Sequence, residues 1–363
     1  MNSLELYRRI ARLVLRLAAI ARRTLGVRKT TYVHERVAEY REIWSKGANQ
    51  LGFEFADIAP GFWEVADGDR IVARISNYLV SLDDPVTLQI AGDKALTFEL
   101  LQQHRLTIPE HSVVPSSSTT AAVEFLHQYG PPVVVKPARD TSSGLGVSTQ
   151  LATPRDVAAA LALSSLYAEE AIIERHVPGE SYRLLYLAGE LVAAARRRGV
   201  RVVGDGSSSL AKLIERLGES KRTALPASWR SDADTRLTLA SQSISLDVVP
   251  SSGQEVLVRS ATWNRDETSE RRTVYDEDVT GILCASIVDE CGKVARAIGS
   301  EFCGVDVITT DAGRSLADTG GVIDEVNTTP GLHHHYGLTN GSGTPVGAEL
   351  PARVLAYCAR QTV

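Results

Sequence analysis

C-G-V-D-V-I at Cys303–Ile308, followed by G-G-V-I-D-E-V-N-T-T-P-G-L-H-H-H-Y at Gly320–Tyr336, decides how this chain is read. The two runs have the apolar density of short strands, the first of them Gly304–Thr309. Glu325 and Asn327 are two residues apart, so on a strand they share a face. Asp306 sits on the preceding strand with a side chain able to join them. Two carboxylates and an amide oxygen are hard ligands, which suit Mg2+ bridging nucleotide phosphates better than a sulfur- or imidazole-seeking metal. An acid pair on a strand is more often simply solvated, so the rest of the chain has to carry the argument.

At 363 residues, with 44% hydrophobic and 23% charged side chains, the composition is that of a globular protein with room for two or three cores. The net charge of −5 offers no basic field to recruit nucleic acid. No apolar run approaches the roughly 20 residues needed to span a bilayer, so stable membrane insertion is not expected. Cys284, Cys291, Cys303 and Cys358 form no C-x-x-C pair and lie in apolar segments, which predicts reduced, buried thiols in a cytoplasmic protein. Leu4–Leu25 places Leu6, Ile10, Leu13, Val14, Leu17, Ile20 and Ala21 at helical spacing among Arg8, Arg9, Arg12, Arg16, Arg22 and Arg23. Membrane-surface and targeting helices share this pattern. The preferred expectation is a docking helix whose arginines are its wet face, their stems covering apolar surface.

Further along, helix and strand signals alternate, which argues for an α+β or α/β architecture. Helical pattern at His34–Trp44 and apolar runs in Ile71–Val80 fill an N-terminal domain, residues 1–88. Asp93 opens a helix over Ala95–His104, and Ser112–Val114 reads as a strand. Helices are expected at Ala121–Tyr129 and Pro154–Leu163, and strands at Pro132–Pro137 and Ala171–Glu174. These belong to a domain over 89–175, with a further one over 176–363. Residues 204–275 are polar, with a helix at Ser209–Leu217 and a strand at Glu255–Arg259. They read as an excursion from that last domain, and a polar insertion near a phosphate site is a natural lid.

Lys136 ends a buried strand and is followed by a small-residue loop containing Gly144 and Gly146. An ammonium beside backbone N–H groups left open by glycine can hold polyphosphate. The loop is neither a Walker P-loop nor a dinucleotide fingerprint, and as a single signal it is no more than a turn. Downstream, I-I-E-R-H-V-P-G at Ile172–Gly179 is a strand running into a linker, able to face an adenine edge or merely to connect domains.

Taken in order, D-K-x-L-T, V-V-K-P with its glycine loop, I-E-R-x-V-P-G and D…E-V-N-x-x-P-G resemble the ATP-grasp superfamily. The likeness is greatest to the ATP-grasp portion of cyanophycin synthetases and related amino-acid ligases, where E-R-x-x-P-G-x-x-x-R-L-L, A-A-A-R-R, V-V-G-D-G and G-G-x-I-x-E-V-N-x-x-P-G recur in this order. It covers roughly residues 90–340. It implies two α+β subdomains gripping ATP. Lys94 and Lys136 would hold phosphates under Ser142, Ser143, Gly144 and Gly146, and Glu174, Arg175, His176 and Val177 would contact adenine. Asp306, Glu325 and Asn327 would bind two Mg2+ ions. Arg183 and Arg197 would face the transferring phosphoryl group and the acyl phosphate, with Lys136 assisting.

Some positions depart from that pattern. Ser181 stands where an acid usually meets the ribose, and Glu180 is a candidate substitute. His333 replaces an arginine, and bulky Thr262–Arg272 replaces a small-residue stretch. Nothing in these 363 residues corresponds to the second, Mur-type ligase domain, so substrates other than those of cyanophycin assembly are expected. Three adjacent histidines cannot all face one way, so His333 or His335 is expected to seat a substrate carboxylate rather than a metal. The implied activity joins a small-molecule carboxylate to an amine, in a chain able to self-associate. The alternatives are a phosphotransferase making a stable phosphorylated product and a non-catalytic nucleotide-binding subunit.

Overall fold

The computed structural model describes residues 3–24, 31–139, 141, 146–219, 235, 238–240, 242–259, 276–338 and 347–361. The chain divides into two compact units, one of Met1–Thr141, Gly146–Arg196 and Glu277–Val363, the other of Ser142–Leu145 and Arg197–Asp276. In chain order the first unit begins with helices α1 (Ser3–Thr24) and α2 (Thr31–Leu51). A meander follows, β1 (Glu54–Ala59), β2 (Phe62–Asp67), β3 (Arg70–Ser76) and β4 (Leu79–Val80), paired in that order. Helices α3 (Pro85–Gly92) and α4 (Lys94–Gln103) share a junction at Asp93, whose carboxylate accepts from the Ala95 and Leu96 amides and so starts α4 with Lys94 as its first residue.

Next come β5 (His111–Pro115), α5 (Thr120–Tyr129), β6 (Val133–Pro137), β7 (Ser148–Leu151), α6 (Pro154–Ser164) and β8 (Glu170–Arg175). Their strands form an antiparallel sheet in the order β5-β8-β6-β7. Thr153 and Asp156 make a reciprocal capping box that fixes the start of α6. Val133, Val135, Ala171 and Ile173 pack on Phe125, Leu126, Val157 and Leu161, so α5 and α6 cover one face of this sheet.

Strands β9 (Glu180–Leu187) and β10 (Glu190–Arg197) lead to the second unit, which holds β11 (Val200–Val203), α7 (Leu210–Glu219) and β12 (Glu255–Arg259). β11 and β12 pair antiparallel, and Val200, Val202, Leu213, Ile214, Leu239, Val256 and Val258 give this unit an apolar core of its own. Asp205 accepts from the Ser207 and Ser208 amides, which holds its carboxyl well below the usual range, and Arg216 adds an ion pair at 2.9 Å. The excursion begins and ends between paired neighbours, because Arg196 lies opposite Glu277.

The first unit resumes with β13 (Glu277–Asp278), α8 (Ala285–Ile298), β14 (Phe302–Thr309), α9 (Leu316–Thr319), β15 (Val322–Thr328), α10 (His333–Tyr336) and α11 (Leu350–Gln361). The sheet order is β13-β10-β9-β14-β15. Alternation sorts its residues cleanly. Tyr182, Leu184, Tyr186, Cys303, Val305 and Val307 face Ile287, Cys291, Val294 and Ile298 of α8. The opposite face carries Leu185, Leu187 and Phe302, which share a core with Tyr40, Ile43 and Trp44 of α2, Trp63 and Val65 of the meander, and Val354 and Leu355 of α11. Farther along that face, Arg183, Gly304 and Asp306 stand where apolar residues stop.

The α+β class read from the sequence is the class observed. The four cysteines are unbridged, with Cys291, Cys303 and Cys358 buried and Cys284 partly so. Among the described residues no helix is long and apolar enough to cross a membrane. The reading of α1 needs correction. The helix docks beside α6 with Arg8 and Arg12 turned inward among Leu4, Ala11 and Leu15, while the aliphatic stripe of Leu6, Ile10, Leu13, Val14 and Leu17 stays exposed. Arg8 is buried, paired with Glu5 at 2.7 Å and donating to the Ser116 carbonyl; Arg12 donates to the Ser165 carbonyl, and Arg155 lies over the Tyr7 ring. The loop carbonyls beside α6 are acceptors that leucine could not satisfy, so guanidinium groups face inward.

Candidate active site

Register places three side chains in one row across the sheet. Arg183 of β9 is opposite Asp306 of β14, and Asp306 is opposite Glu325 of β15. Arg183 grips Asp306 with two nitrogens, Nε to Oδ1 and Nη2 to Oδ2, the latter at 2.6 Å. This is the fork geometry that makes guanidinium–carboxylate pairs directional. Gly304, two residues before Asp306 on the same face, makes room for it: a Cβ there would lie 2.7 Å from Arg183 Cδ and 3.1 Å from Pro330 Cβ.

The V-I-D-E-V-N run does not keep a period of two, and the structure explains why. Asp306 pairs with Glu325 but Val307 pairs with Ile323, leaving Asp324 as the extra residue of a β-bulge. The bulge turns two consecutive acids toward two lysines. Lys136 Nζ lies 3.1 Å from Asp324 Oδ1 and 2.9 Å from Glu174 Oε2, above the Phe98 ring. Lys94 Nζ lies 3.4 Å from Glu325 Oε1 and donates to the Thr141 carbonyl at 3.1 Å. Asp324 was not singled out from sequence, although the broken alternation around it was a usable signal.

Both Lys136 and Glu174 are buried. Burial works against the Lys136 charge, but Asp324, Glu174 and Glu325 outweigh it and hold the ammonium above the ordinary lysine range. Burial pushes the Glu174 carboxyl up to about 7; Lys136 pulls it down, while Asp324 and Glu325 add to the rise. The cleft bounded by Lys94, Phe98, Asp324 and Glu325 is closed to a water molecule. Cations and acids here neutralise one another.

Glu174, expected at an adenine edge, therefore turns its carboxylate onto Lys136. After it, the Arg175 and His176 amides donate to the Glu110 and Pro132 carbonyls, and burial lowers the His176 pKa. Val177 is half-buried, and Gly179 passes so close to the Thr309 backbone that a Cβ would meet it at 2.4 Å. Glu180 pairs with Arg196 at 3.2 Å, beside half-buried Ser181. Gly146 has a positive φ of 76° and abuts Pro137 and Tyr167. Ser142, Ser143 and Gly144 lie outside the described residues, as does Thr262–Arg272. Arg197, the last residue of β10, belongs to the second unit.

The three histidines part company. His333 Nδ1 shares a hydrogen bond with the Tyr40 hydroxyl, the rings meeting edge to face at 5.7 Å. Gly331 permits this, since a Cβ would lie 2.6 Å from the His333 ring and 2.7 Å from the Tyr40 oxygen. His335 is buried and lines a different cavity of about 160 Å³ with Val192, Ala193, Asp278 and Thr280. Tyr40 carries no motif and was not anticipated; it sits on α2, nearly three hundred positions before its partner.

Asp306, Glu325 and Asn327 fit a hard divalent cation. The donors are all oxygens, and a carboxylate has about four lone-pair sites, more than Arg183 engages. The Asn327 amide nitrogen is buried with no hydrogen-bond partner among the described residues. A half-turn of that amide puts its oxygen in the same place, where a cation would satisfy it. Among the described residues there is no cluster of three or more His, Cys, Asp or Glu able to bind a metal.

No family model matches the chain. It is similar to cyanophycin synthetase from Synechocystis sp., 27% identical over 328 residues, covering 80% of this chain and 36% of that protein. The homologue from Geminocystis herdmanii is 27% identical over 344 residues, or 90% of this chain and 36% of the relative. The glutathione biosynthesis bifunctional protein GshAB of Clostridium perfringens is 23% identical over 309 residues, 83% of this chain and 38% of its own length. The chain thus spans about a third of the length of the curated relatives it matches. Among solved structures, a bifunctional glutathione synthetase from Pasteurella multocida superposes with a TM-score of 0.55 at 23% identity, covering 86% of this chain and 42% of that one.

Proposed function

Because the chain has the ATP-grasp fold, we propose that it is an ATP-dependent carboxylate–amine ligase acting on amino-acid-like substrates. One arrangement carries this reading: Lys94 and Lys136 converge on the consecutive acids Glu325 and Asp324, beside the Arg183–Asp306 pair. Three charges of each sign brought together suit a reaction whose main needs are alignment and charge neutralisation. The similarity to cyanophycin synthetase and to GshAB supports the same class.

In this reading a substrate carboxylate oxygen attacks the γ-phosphorus of ATP, and the bond to the bridging oxygen breaks to release ADP. An amine nitrogen then attacks the acyl carbon of the resulting acyl phosphate. Inorganic phosphate leaves and the amine gives its proton to a pocket carboxylate. Lys94 and Lys136 exchange Glu325 and Asp324 for phosphate oxygens, and Arg183 steadies the transferring group. Asp306, Glu325 and Asn327 would hold Mg2+, which would supply charge neutralisation on the phosphates. His333, oriented by Tyr40, seats the substrate carboxylate. The second unit, inserted between β10 and β13 and carrying Arg197, acts as a lid that keeps water from the acyl phosphate.

The test is ATP consumption by the whole chain with Mg2+ across amino acids offered singly and in pairs, with product masses. ADP formation requiring two partners, and a product lighter by one water than their sum, is the expected result. Lys136→Ala should lower turnover by about a thousandfold or more. A stable phosphorylated product formed without an amine would replace the ligase with a phosphotransferase, and AMP would rule out the acyl-phosphate route.

A further inference from the structure

Helix α1 has two apolar sides and uses only one. Leu4, Arg8, Ala11 and Leu15 recur every three to four residues on the docked side. Leu6, Ile10, Leu13, Val14 and Leu17 form a second stripe on the opposite side, and each is between 45 and 58% exposed. Five large aliphatic side chains in an unbroken line are more than the scattered apolar residues of an ordinary surface. Apolar contact does not explain their outward turn, because the docking side is anchored by Arg8 and Arg12 on backbone carbonyls.

The charges beside this stripe indicate what covers it. The helix holds six arginines and one glutamate, +5 within a chain whose net charge is −5. Its single acid, Glu5, is shared between buried Arg8 at 2.7 Å and exposed Arg9 at 3.5 Å, which leaves the helix strongly cationic. Along one border of the stripe stand Arg9 and Arg16, exposed and seven residues apart. A second copy of the chain suits this poorly. In an isologous antiparallel pair each border meets itself, so Arg9 and Arg16 would oppose Arg16 and Arg9. A surface that is apolar within and anionic at its rim meets both features at once, because arginine stems lie along apolar surface while their heads reach phosphate.

We propose that α1 is a peripheral membrane anchor, its Leu6–Leu17 stripe entering the headgroup boundary of an anionic bilayer with Arg9 and Arg16 on lipid phosphates. The helix lies in the interface and does not cross it, in keeping with the lack of a spanning helix among the described residues. The inference does not depend on the catalytic reading.

Co-sedimentation of the whole chain with phosphatidylcholine vesicles, with and without a quarter phosphatidylglycerol, tests it. The chain should bind the anionic vesicles and release as salt rises, and should bind zwitterionic ones far less. Ile10→Asp with Leu13→Asp should weaken binding by about a hundredfold or more. Arg9→Gln with Arg16→Gln should weaken it by about tenfold or more and flatten the salt dependence. All four side chains are exposed, so thermal unfolding should be unchanged. Absence of binding to anionic vesicles, or equal binding by both double variants and the wild type, would overturn the proposal. So would a dimer that the aspartate pair converts to monomer while vesicles are ignored, which would assign the stripe to a second copy.

Discussion

Replacing Glu174 with glutamine should change how stability depends on pH. In the unfolded chain this carboxyl loses its proton near 4.5; in the folded protein burial raises that point to about 7 despite the neighbouring ammonium of Lys136. Between these values the folded state keeps a proton that the unfolded state has released, so stability falls as pH rises. Below the interval both states are protonated, and above it both are ionised, so the loss is confined to it. The separation is worth about 3 kcal/mol once fully expressed. Other groups titrate in the same range, so the informative quantity is the difference between Glu174→Gln and the wild type, where their contributions cancel. Urea unfolding followed by fluorescence of buried Trp44 and Trp63 reports it. From about pH 5 to about pH 8 the variant should gain about 3 kcal/mol on the wild type. A difference that stays flat, or moves against the variant, refutes the raised carboxyl and with it the tight Lys136–Glu174–Asp324 network.

Gly304→Ala forces a methyl to within 2.7 Å of Arg183 Cδ; it should cost about 1–3 kcal/mol in unfolding experiments and lower turnover more than ATP affinity. Wild-type values for both would show that Arg183 has room to spare. Tyr40→Phe removes the hydroxyl that orients His333, and should raise the KM for the carboxylate about fivefold at unchanged ATP KM. His333→Ala should do the same more strongly, and the reverse pattern would move His333 to the nucleotide. If the second unit is a lid, ATP with Mg2+ should slow proteolysis within residues 197–276, and unchanged cleavage would argue against closure.

Much of this was legible because strands announce themselves by alternation. Val-Val-Val before Lys136, and Gly304-Val-Asp306 before Glu325-Val-Asn327, fix which residues share a face, and register then aligns Asp306 with Glu325 as the spacing implied. Asp324 was passed over because alternation assigns it to the opposite face, and a bulge exists only once two strands are paired. Tyr40 was invisible for another reason: a contact between residues so distant in sequence leaves no periodic trace. The orientation of α1 was read the wrong way round because its pattern marks two apolar stripes, and the choice between them rests on carbonyls at Ser116 and Ser165. Pattern says that a helix is two-sided; only the partner says which side is inward.

The core that α2 and the meander share with Leu185, Leu187 and Phe302 limits how the chain can be divided. The segment before residue 89 looks like a detachable module in a one-dimensional map, yet it forms the far wall of the sheet that carries Arg183 and Asp306. A polypeptide begun at residue 89 would present that wall to water, at about 25 cal/mol for each Å² uncovered, and would lose Tyr40 as well. Moving residues 89–363 onto a new N-terminus is therefore not a cut-and-paste operation. Any replacement has to bring its own tryptophan-rich lining and its own hydroxyl for His333.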